Sequence, residues 1–248
     1  LTGGVQNQPD FQAGAVDHHT HFVSEVPRFV KQAMAEYGEL TGRYYSPVKT
    51  YQADDAEHVI VGLGSVTDDA EAVAAHLRRQ GKKVGVVSIK LLQPFPEGEL
   101  IAALAGKKAV TVLERSNQTA LTDWIMKALF KARENGALIR HQGIPAITEL
   151  PKVSTGIFGL GAHDLQPRHL IAAYKNMENE LNVPFFYLGT QFFSDNASPR
   201  VSEIQSRLRA AYPETEFMAL ETESNPRLLP PTAFRVRFHS VGGYGTTA

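Results

Sequence analysis

Short apolar runs alternate with stretches of helical period along the first half of the chain. Three runs begin at His58, Val84 and Ala109, and each has the length of a buried strand rather than of a helix. Between and after these runs, apolar residues recur every three or four positions, which is the period of an amphipathic helix. Residues 51 to 130 are therefore predicted to alternate strands with helices.

The fold class follows from the character of these runs. Strands that are apolar on both faces and separated by helices are typical of a parallel sheet covered on both sides. Right-handed crossovers between such strands give an open, doubly wound arrangement. The sequence predicts an α/β fold whose open, mostly parallel sheet has helices on both faces. A further strand is predicted from Val153 and a further helix from Pro167.

The segment before this region divides into two parts. Residues 1–23 have no clear period and predict an irregular opening segment. From Ser24 onward, apolar residues at i, i+3, i+4 and i+7 predict a helix that Ser24 caps and Gly42 stops. We therefore expect an opening segment and a lead-in helix over residues 1–50, and the main domain over residues 51–193.

The segment after the main domain breaks the alternation. Residues 194–232 are predicted to form a linker with an extra helix that begins at Ser198, because Asn225-Pro226 and two later prolines are typical of irregular chain. The last residues alternate like a strand from Phe234 and then pass through glycines. Residues 233–248 are therefore expected to be the truncated start of a neighbouring domain.

Composition narrows the class of protein. The 248 residues have a formal net charge of -1 and a hydrophobic content of 43%, which favours neither nucleic acid nor an anionic membrane as a partner. No apolar run approaches the ~20 residues of a membrane helix. The absence of cysteine excludes disulfides, a thiol nucleophile and cysteine-held iron or zinc in this chain, and it suits a cytoplasmic protein. The first residue is not Met and the end is abrupt, so we expect a piece of a longer polypeptide.

Asp17-His-His-Thr-His21 is the densest cluster of metal-ligand residue types. In a strand, Asp17, His19 and His21 would share one side and could hold a metal ion. No second motif contributes ligands, however, so the segment is interpreted as solvent-exposed or as part of a partner interface. No metal site is predicted.

Two other segments could contact a ligand. Glu114-Arg115 ends the third predicted strand at the carboxyl edge of the sheet, where open α/β sheets bind ligands. An ion pair at a domain contact is the favoured interpretation of these two residues. Gly242-Gly-Tyr-Gly245 follows a predicted strand, and its glycines permit the close backbone approach that a phosphate site requires. The Gly-x-Gly-x-x-Gly pattern is not fulfilled there.

Three segments in order carry a resemblance to a known family. They are Asp55–Val66 ("DAEHVIVGLGSV"), Gly81–Pro96 ("GKKVGVVSIKLLQPFP") and Lys108–Arg115 ("KAVTVLER"). Together they resemble the second domain of pyruvate:ferredoxin (flavodoxin) oxidoreductase, a 2-oxoacid:ferredoxin oxidoreductase. That domain is similar to the C-terminal domain of transketolase. The preceding segment Glu39–Tyr45 and the strand at Phe185 fit the same order.

The resemblance implies the rest of the function. The family oxidatively decarboxylates a 2-oxoacid to acyl-CoA with thiamine diphosphate, magnesium, coenzyme A, iron–sulfur clusters and ferredoxin or flavodoxin. Other domains supply that chemistry, so this chain is expected to be a structural or assembly domain with no catalytic residue and no cofactor bound. Its expected partners are the other domains of the same polypeptide, within a homodimer.

Residues 233–248 resemble the start of the family's third, gamma-type domain. That domain is associated with coenzyme A, and the resemblance makes Gly243, Tyr244 and Gly245 the candidate cofactor-binding residues. The family often has an aspartate where Tyr244 stands, so backbone contact at Gly245 is the firmer expectation.

Two alternatives stay open at this stage. One is a fragment of a 2-oxoacid dehydrogenase or transketolase-type enzyme that passes no electrons to ferredoxin. The gamma-type start argues against it, since those enzymes normally end at this domain. The other is a non-catalytic interaction module that has kept only the fold.

Overall fold

The computed structural model describes residues 7–189, 198–220, 222–229 and 232–234. Its centre is a six-stranded sheet in the order β1-β3-β2-β4-β5-β6. The strands are β1 Val48–Tyr51, β2 His58–Leu63, β3 Val84–Ile89, β4 Ala109–Glu114, β5 Lys152–Phe158 and β6 Phe185–Leu188. All neighbouring pairs are parallel except β1 with β3. The predicted open, mostly parallel sheet is therefore confirmed.

The helices that connect the strands cover both faces of the sheet. They are α3 Val66–Arg78, α4 Glu97–Leu104, α5 Ala120–Asn135 and α6 Pro167–Glu178. One apolar core joins α4 and α5 to the sheet, and a second core joins α3 and α6 to its other face. The central strands β3 and β4 are buried along their whole length, which explains why they appear in the sequence as apolar runs without alternation.

Helix α6 is tied to the sheet by a buried polar contact. The hydroxyl of Tyr174, which is almost fully buried, donates a hydrogen bond of 2.8 Å to the carbonyl of Gly85 on β3. Burial raises the pKa of this phenol far above its ordinary value. The hydroxyl therefore keeps its proton and stays a hydrogen-bond donor at any pH at which the protein would be folded. The bond fixes where the helix lies on the sheet.

The opening segment differs from the prediction. Residues from Gln8 onward are helical: α1 Gln8–Asp17, one π-helical stretch His18–Val23 and α2 Ser24–Thr41 follow one another without a break. Ser24 is thus inside a helix and does not cap one. Helix α1 has no buried residue. Because it packs no face against a core, its apolar residues do not recur with the helical period that a sequence pattern would reveal. The predicted stop at Gly42 is confirmed, since Gly42 has a left-handed backbone with φ of 71°.

The segment after β6 contains the predicted extra helix. Helix α7 spans Pro199–Ala211 after Ser198, and a 3₁₀ helix spans Pro213–Met218. A bridge between Tyr187 and Ala219 then brings the chain back beside β6. The strand and glycine turn predicted at the end of the chain lie outside the described residues. The domain boundaries at 50, 193 and 232 stay a prediction.

Candidate functional site

The strand order creates a crevice at one edge of the sheet. From β2 the chain crosses to β3 on one side, and it later adds β4 on the other side of β2. The loops that leave the carboxyl ends of β2 and β4 therefore diverge to opposite faces. Open α/β sheets bind their ligands at this switch point.

A cavity of about 1400 Å³ lies at this switch point. Leu63, Glu114 and Phe158 line it from the ends of three parallel strands, and Trp124 lines it from the first turn and a half of α5. Residues 222–229, named here the edge segment, contribute Asn225 to Leu229 to its wall. The cavity is thus built from parts of the chain that are more than 100 residues apart in sequence.

Glu114 is bound to the backbone of the helix that follows its strand, and the ion pair predicted for Glu114-Arg115 at a domain contact stays a prediction. The Glu114 side chain is 6% exposed, and its Oε1 accepts a hydrogen bond of 2.7 Å from the backbone N–H of Thr122. Thr122 is in the first turn of α5, where backbone N–H groups have no partner within the helix. The carboxylate therefore caps the helix and compensates the positive end of its dipole.

Replacement of this carboxylate should weaken folding. Glu114→Ala removes the cap and leaves a buried N–H without an acceptor, and we expect a loss of about 2 kcal/mol in the free energy of unfolding. Glu114→Gln keeps an acceptor oxygen and should lose about half as much. Glu149, which is exposed, provides a control: Glu149→Ala should change stability by less than about 0.5 kcal/mol. Equal urea midpoints for the two alanine variants would contradict the capping role.

Arg115, next to Glu114, is exposed and lies along Gly159. A Cβ placed on Gly159 would come within 3.3 Å of the Arg115 side chain. Gly159 also has a φ of 72°, a conformation that residues with a Cβ rarely adopt. The glycine therefore lets the arginine cross the end of β5 at close range.

The N-terminus of α6 forms the opposite wall of the cavity. The Nδ1 of His169 accepts a hydrogen bond of 3.0 Å from the backbone N–H of Gln166, the residue that caps the helix. Burial, with a smaller contribution from the Arg168 charge, lowers the pKa of His169 from 6.5 to about 4. His169 is therefore neutral near pH 7 and acts as a fixed acceptor.

The edge segment is attached to the same helix. The backbone N–H of Arg168 donates to Asn225 Oδ1 at 3.0 Å, and Asn225 Nδ2 donates to Gln166 Oε1 at 2.7 Å. An ion pair joins Lys175 to Glu223, and Leu228 packs against the second apolar core. The predicted linker is therefore a structured wall of the cavity in residues 222–229.

Other residues singled out from the sequence have modest roles. Asp17, His19 and His21 are helical, and residues two apart on a helix do not face one another. Within the described residues, no group of three or more His, Asp and Glu side chains could hold a metal ion. Ser65, a further residue of the cavity lining, precedes α3 and makes no capping hydrogen bond. Gly243, Tyr244 and Gly245 lie outside the described residues.

The start of α3 brings an acidic side chain to the cavity. Asp69 lines the cavity, and burial together with the neighbouring Asp68 raises the pKa of its carboxyl. Trp124 lines the cavity from α5. Its place near the carboxyl end of β4 was the available signal that it would line the crevice.

Comparison with known proteins agrees with the resemblance of the three sequence segments. Residues 56–142 match the sequence profile of the family described as Pyruvate:ferredoxin oxidoreductase core domain II. Over these residues the chain is similar to the second core domain of pyruvate:ferredoxin oxidoreductases. The resemblance found in the sequence is thereby confirmed.

Several members of the pyruvate:ferredoxin oxidoreductase family are similar to this chain over part of their length. Pyruvate synthase subunit PorA of Thermotoga maritima is 30% identical over 161 residues, which are 63% of this chain and 37% of that protein. The PorA subunit of Methanothermobacter thermautotrophicus is 28% identical over 71% of this chain and 42% of its own length. A probable pyruvate-flavodoxin oxidoreductase of Escherichia coli is 30% identical over 70% of this chain and 15% of its own length. The chain thus spans less than half of these relatives.

Solved structures from two groups of enzymes align with part of this chain. A 2-oxoglutarate:ferredoxin oxidoreductase from Magnetococcus marinus, with 2-oxoglutarate, coenzyme A and succinyl-CoA bound, aligns with a TM-score of 0.41 and 21% identity. The alignment covers 58% of this chain and 21% of that one. A split-gene transketolase aligns with a TM-score of 0.38 and 20% identity, over 54% of this chain and 43% of its own.

Proposed function

We propose that this chain is a non-catalytic structural and assembly domain of a thiamine diphosphate-dependent 2-oxoacid:ferredoxin or flavodoxin oxidoreductase. The intact enzyme would oxidatively decarboxylate a 2-oxoacid, such as pyruvate, to acyl-CoA. The match of residues 56–142 to core domain II of the family supports this proposal. So do the names of relatives that are pyruvate synthase subunits and pyruvate-flavodoxin oxidoreductases.

One structural observation carries the non-catalytic part of the proposal. Acid–base groups stand at the carboxyl edge of the sheet, where chemistry is expected, but two of the buried ones serve the backbone. Glu114 accepts from Thr122 N–H, and His169 accepts from Gln166 N–H. A general acid or base must be free to exchange a proton with a substrate. These two groups instead hold the ends of α5 and α6.

The cofactors of the intact enzyme would be held elsewhere. The chain has no cysteine, so it does not fit an iron–sulfur cluster held by thiolates. Magnesium prefers carboxylate and other oxygen ligands, and the described residues bring no three acidic or histidine side chains together. Thiamine diphosphate, magnesium and the clusters are therefore assigned to other domains. Coenzyme A contact is proposed only for Gly243, Tyr244 and Gly245.

The assembly would place the chain among other domains of one polypeptide, in a homodimer that passes electrons to ferredoxin or flavodoxin. Within the described residues, no helix is long and apolar enough to cross a membrane. We place the intact enzyme in the cytoplasm. Residues 51–193 would be the transketolase C-terminal-like domain, and residues 233–248 would begin the gamma-type domain.

The coding sequence on both sides of this chain tests the proposal. We expect a thiamine diphosphate-binding domain and cysteine-rich cluster motifs, either in the same reading frame or in adjacent genes. A stop codon directly after residue 248, with neither feature encoded nearby, would contradict the assignment to a 2-oxoacid:ferredoxin oxidoreductase. A dehydrogenase lipoyl partner in their place would favour the 2-oxoacid dehydrogenase alternative.

A further inference from the structure

The cavity at the carboxyl edge contains three hydrogen-bond donors that are not engaged. Ser65 Oγ, the Arg115 guanidinium and the Trp124 indole N–H all belong to lining residues. Within the part of the chain that the structure describes, these side chains have no hydrogen-bond acceptor and no ion-pair partner. The Arg115 side chain passes close to Gly159, where the absence of a Cβ leaves room for it. A guanidinium positioned in this way can bind a carboxylate through two parallel hydrogen bonds.

Most of the remaining wall is apolar. Leu63 and Leu92 contribute side chains that are 44% and 39% exposed, and Phe158 and Leu113 lie at the ends of β5 and β4. The Trp124 ring is fixed edge-on against Phe95, with 5.4 Å between the ring centroids. Small-molecule sites have this composition, with apolar walls and a few polar groups that fix the orientation of the ligand.

The charges in the cavity limit the ligand further. Glu114 is occupied at the N-terminus of α5, and Arg227, a second basic residue of the lining, already has another interaction. The acidic groups that remain in the lining are Asp69 and Asp164. These carboxylates would repel a ligand with several negative charges, such as a nucleoside triphosphate. One negative charge can be matched by Arg115.

We propose that the cavity binds a small monocarboxylate with an apolar body. Its carboxylate pairs with Arg115, and its hydrocarbon part lies against Trp124 and the leucines of the wall. The site is separate from the domain-assembly role proposed above, since it is formed entirely by described residues of this chain. It gives the domain a ligand of its own.

The chain contains one tryptophan, so intrinsic fluorescence excited at 295 nm reports on Trp124 alone. The probe is cyclohexylacetate, which has an apolar ring, one carboxylate and no absorbance at this wavelength. Titration of the full 248-residue chain should produce a saturable change in the emission. Cyclohexylacetamide has nearly the same shape without the charge, and it should bind at least about tenfold more weakly.

Variants separate binding at Arg115 from a general charge effect. Arg115→Gln should weaken cyclohexylacetate binding at least about tenfold while circular dichroism stays unchanged. Arg79→Gln is the matched control, because Arg79 is an exposed arginine directly after α3, at the opposite end of that helix from the cavity. It should bind as the parent does.

Several results would overturn the inference. They are the absence of a saturable fluorescence change up to the solubility limit, equal binding of the amide, and an unchanged dissociation constant in Arg115→Gln. Tighter binding of AMP than of cyclohexylacetate would also overturn it, since a dianionic nucleotide would then be the better ligand.

Discussion

Asn135→Ala should destabilise the protein by about 4 kcal/mol. Asn135 is 5% exposed, and its side chain makes four hydrogen bonds with the loop that follows α5. Its Nδ2 donates to the carbonyls of His141 and Ile144 at 2.8 and 2.9 Å. Its Oδ1 accepts from the N–H groups of Arg140 and His141, both at 2.9 Å. Since each such bond contributes about 1 kcal/mol net, the whole loop depends on this one amide.

Two further variants make the prediction specific. Asn135→Asp keeps the size of the side chain and the two accepted hydrogen bonds, but it turns a carboxylate oxygen toward two carbonyl oxygens. It should therefore lower the free energy of unfolding by as much as Asn135→Ala does. Asn179→Ala removes an exposed amide that makes no side-chain hydrogen bond within the described residues, and it should change stability by less than about 0.5 kcal/mol. Urea unfolding gives all three values. A loss below about 1 kcal/mol for Asn135→Ala would show that the four hydrogen bonds of Asn135 do not hold the loop as described.

Acidification should destabilise the protein through His169 before most carboxylates are protonated. In the folded protein the pKa of His169 is about 4, whereas the unfolded chain has a value near 6.5. Between these two pH values the unfolded chain binds a proton at His169 and the folded protein does not. The contribution of neutral His169 to the free energy of unfolding is therefore fully present above pH 6.5 and is lost as the pH falls toward 4. The difference of about 2.5 between the two pKa values corresponds to roughly 3 kcal/mol in the free energy of unfolding.

His169→Gln isolates this contribution. Glutamine at the third helical position can accept from the N–H of the capping residue, as His169 does, but it has no proton to gain. The difference in unfolding free energy between the parent and the variant should therefore shift in favour of the variant by up to roughly 3 kcal/mol between pH 6.5 and pH 4. The two proteins should be similar at pH 7.5. A difference that stays constant with pH would show that His169 does not titrate as described.

The sheet was predictable because its central strands are buried on both faces. The runs at His58, Val84 and Ala109 could not be mistaken for solvent-exposed chain, and they became β2, β3 and β4. Strand β1 was missed, since Val48–Tyr51 is a four-residue edge strand whose middle residues are exposed. Helix α1 was missed for a related reason, because a helix that buries nothing has no apolar period.

The candidate site was predictable in place but not in detail. Its position at the carboxyl edge follows from the order of strands and helices, which the sequence indicates. The hydrogen bond between Glu114 and Thr122 depends on the residue at which α5 begins. The side chain of Thr119, the residue before α5, does not cap the helix, so the residue types there do not indicate which group does. The contact of Asn225 with Gln166 joins residues 59 positions apart, which no local pattern can reveal. His169 was missed because a histidine is an unusual partner in a capping box.

The central claim is that this domain supports a 2-oxoacid oxidoreductase and does not itself catalyse the reaction. The direct measurement is an assay of the purified 248-residue chain with pyruvate or 2-oxoglutarate, coenzyme A, thiamine diphosphate, magnesium and methyl viologen as electron acceptor. A purified pyruvate-flavodoxin oxidoreductase in the same buffer is the positive control. We predict no viologen reduction above the rate without protein. Reduction by the chain alone that requires both the 2-oxoacid and coenzyme A would contradict the claim.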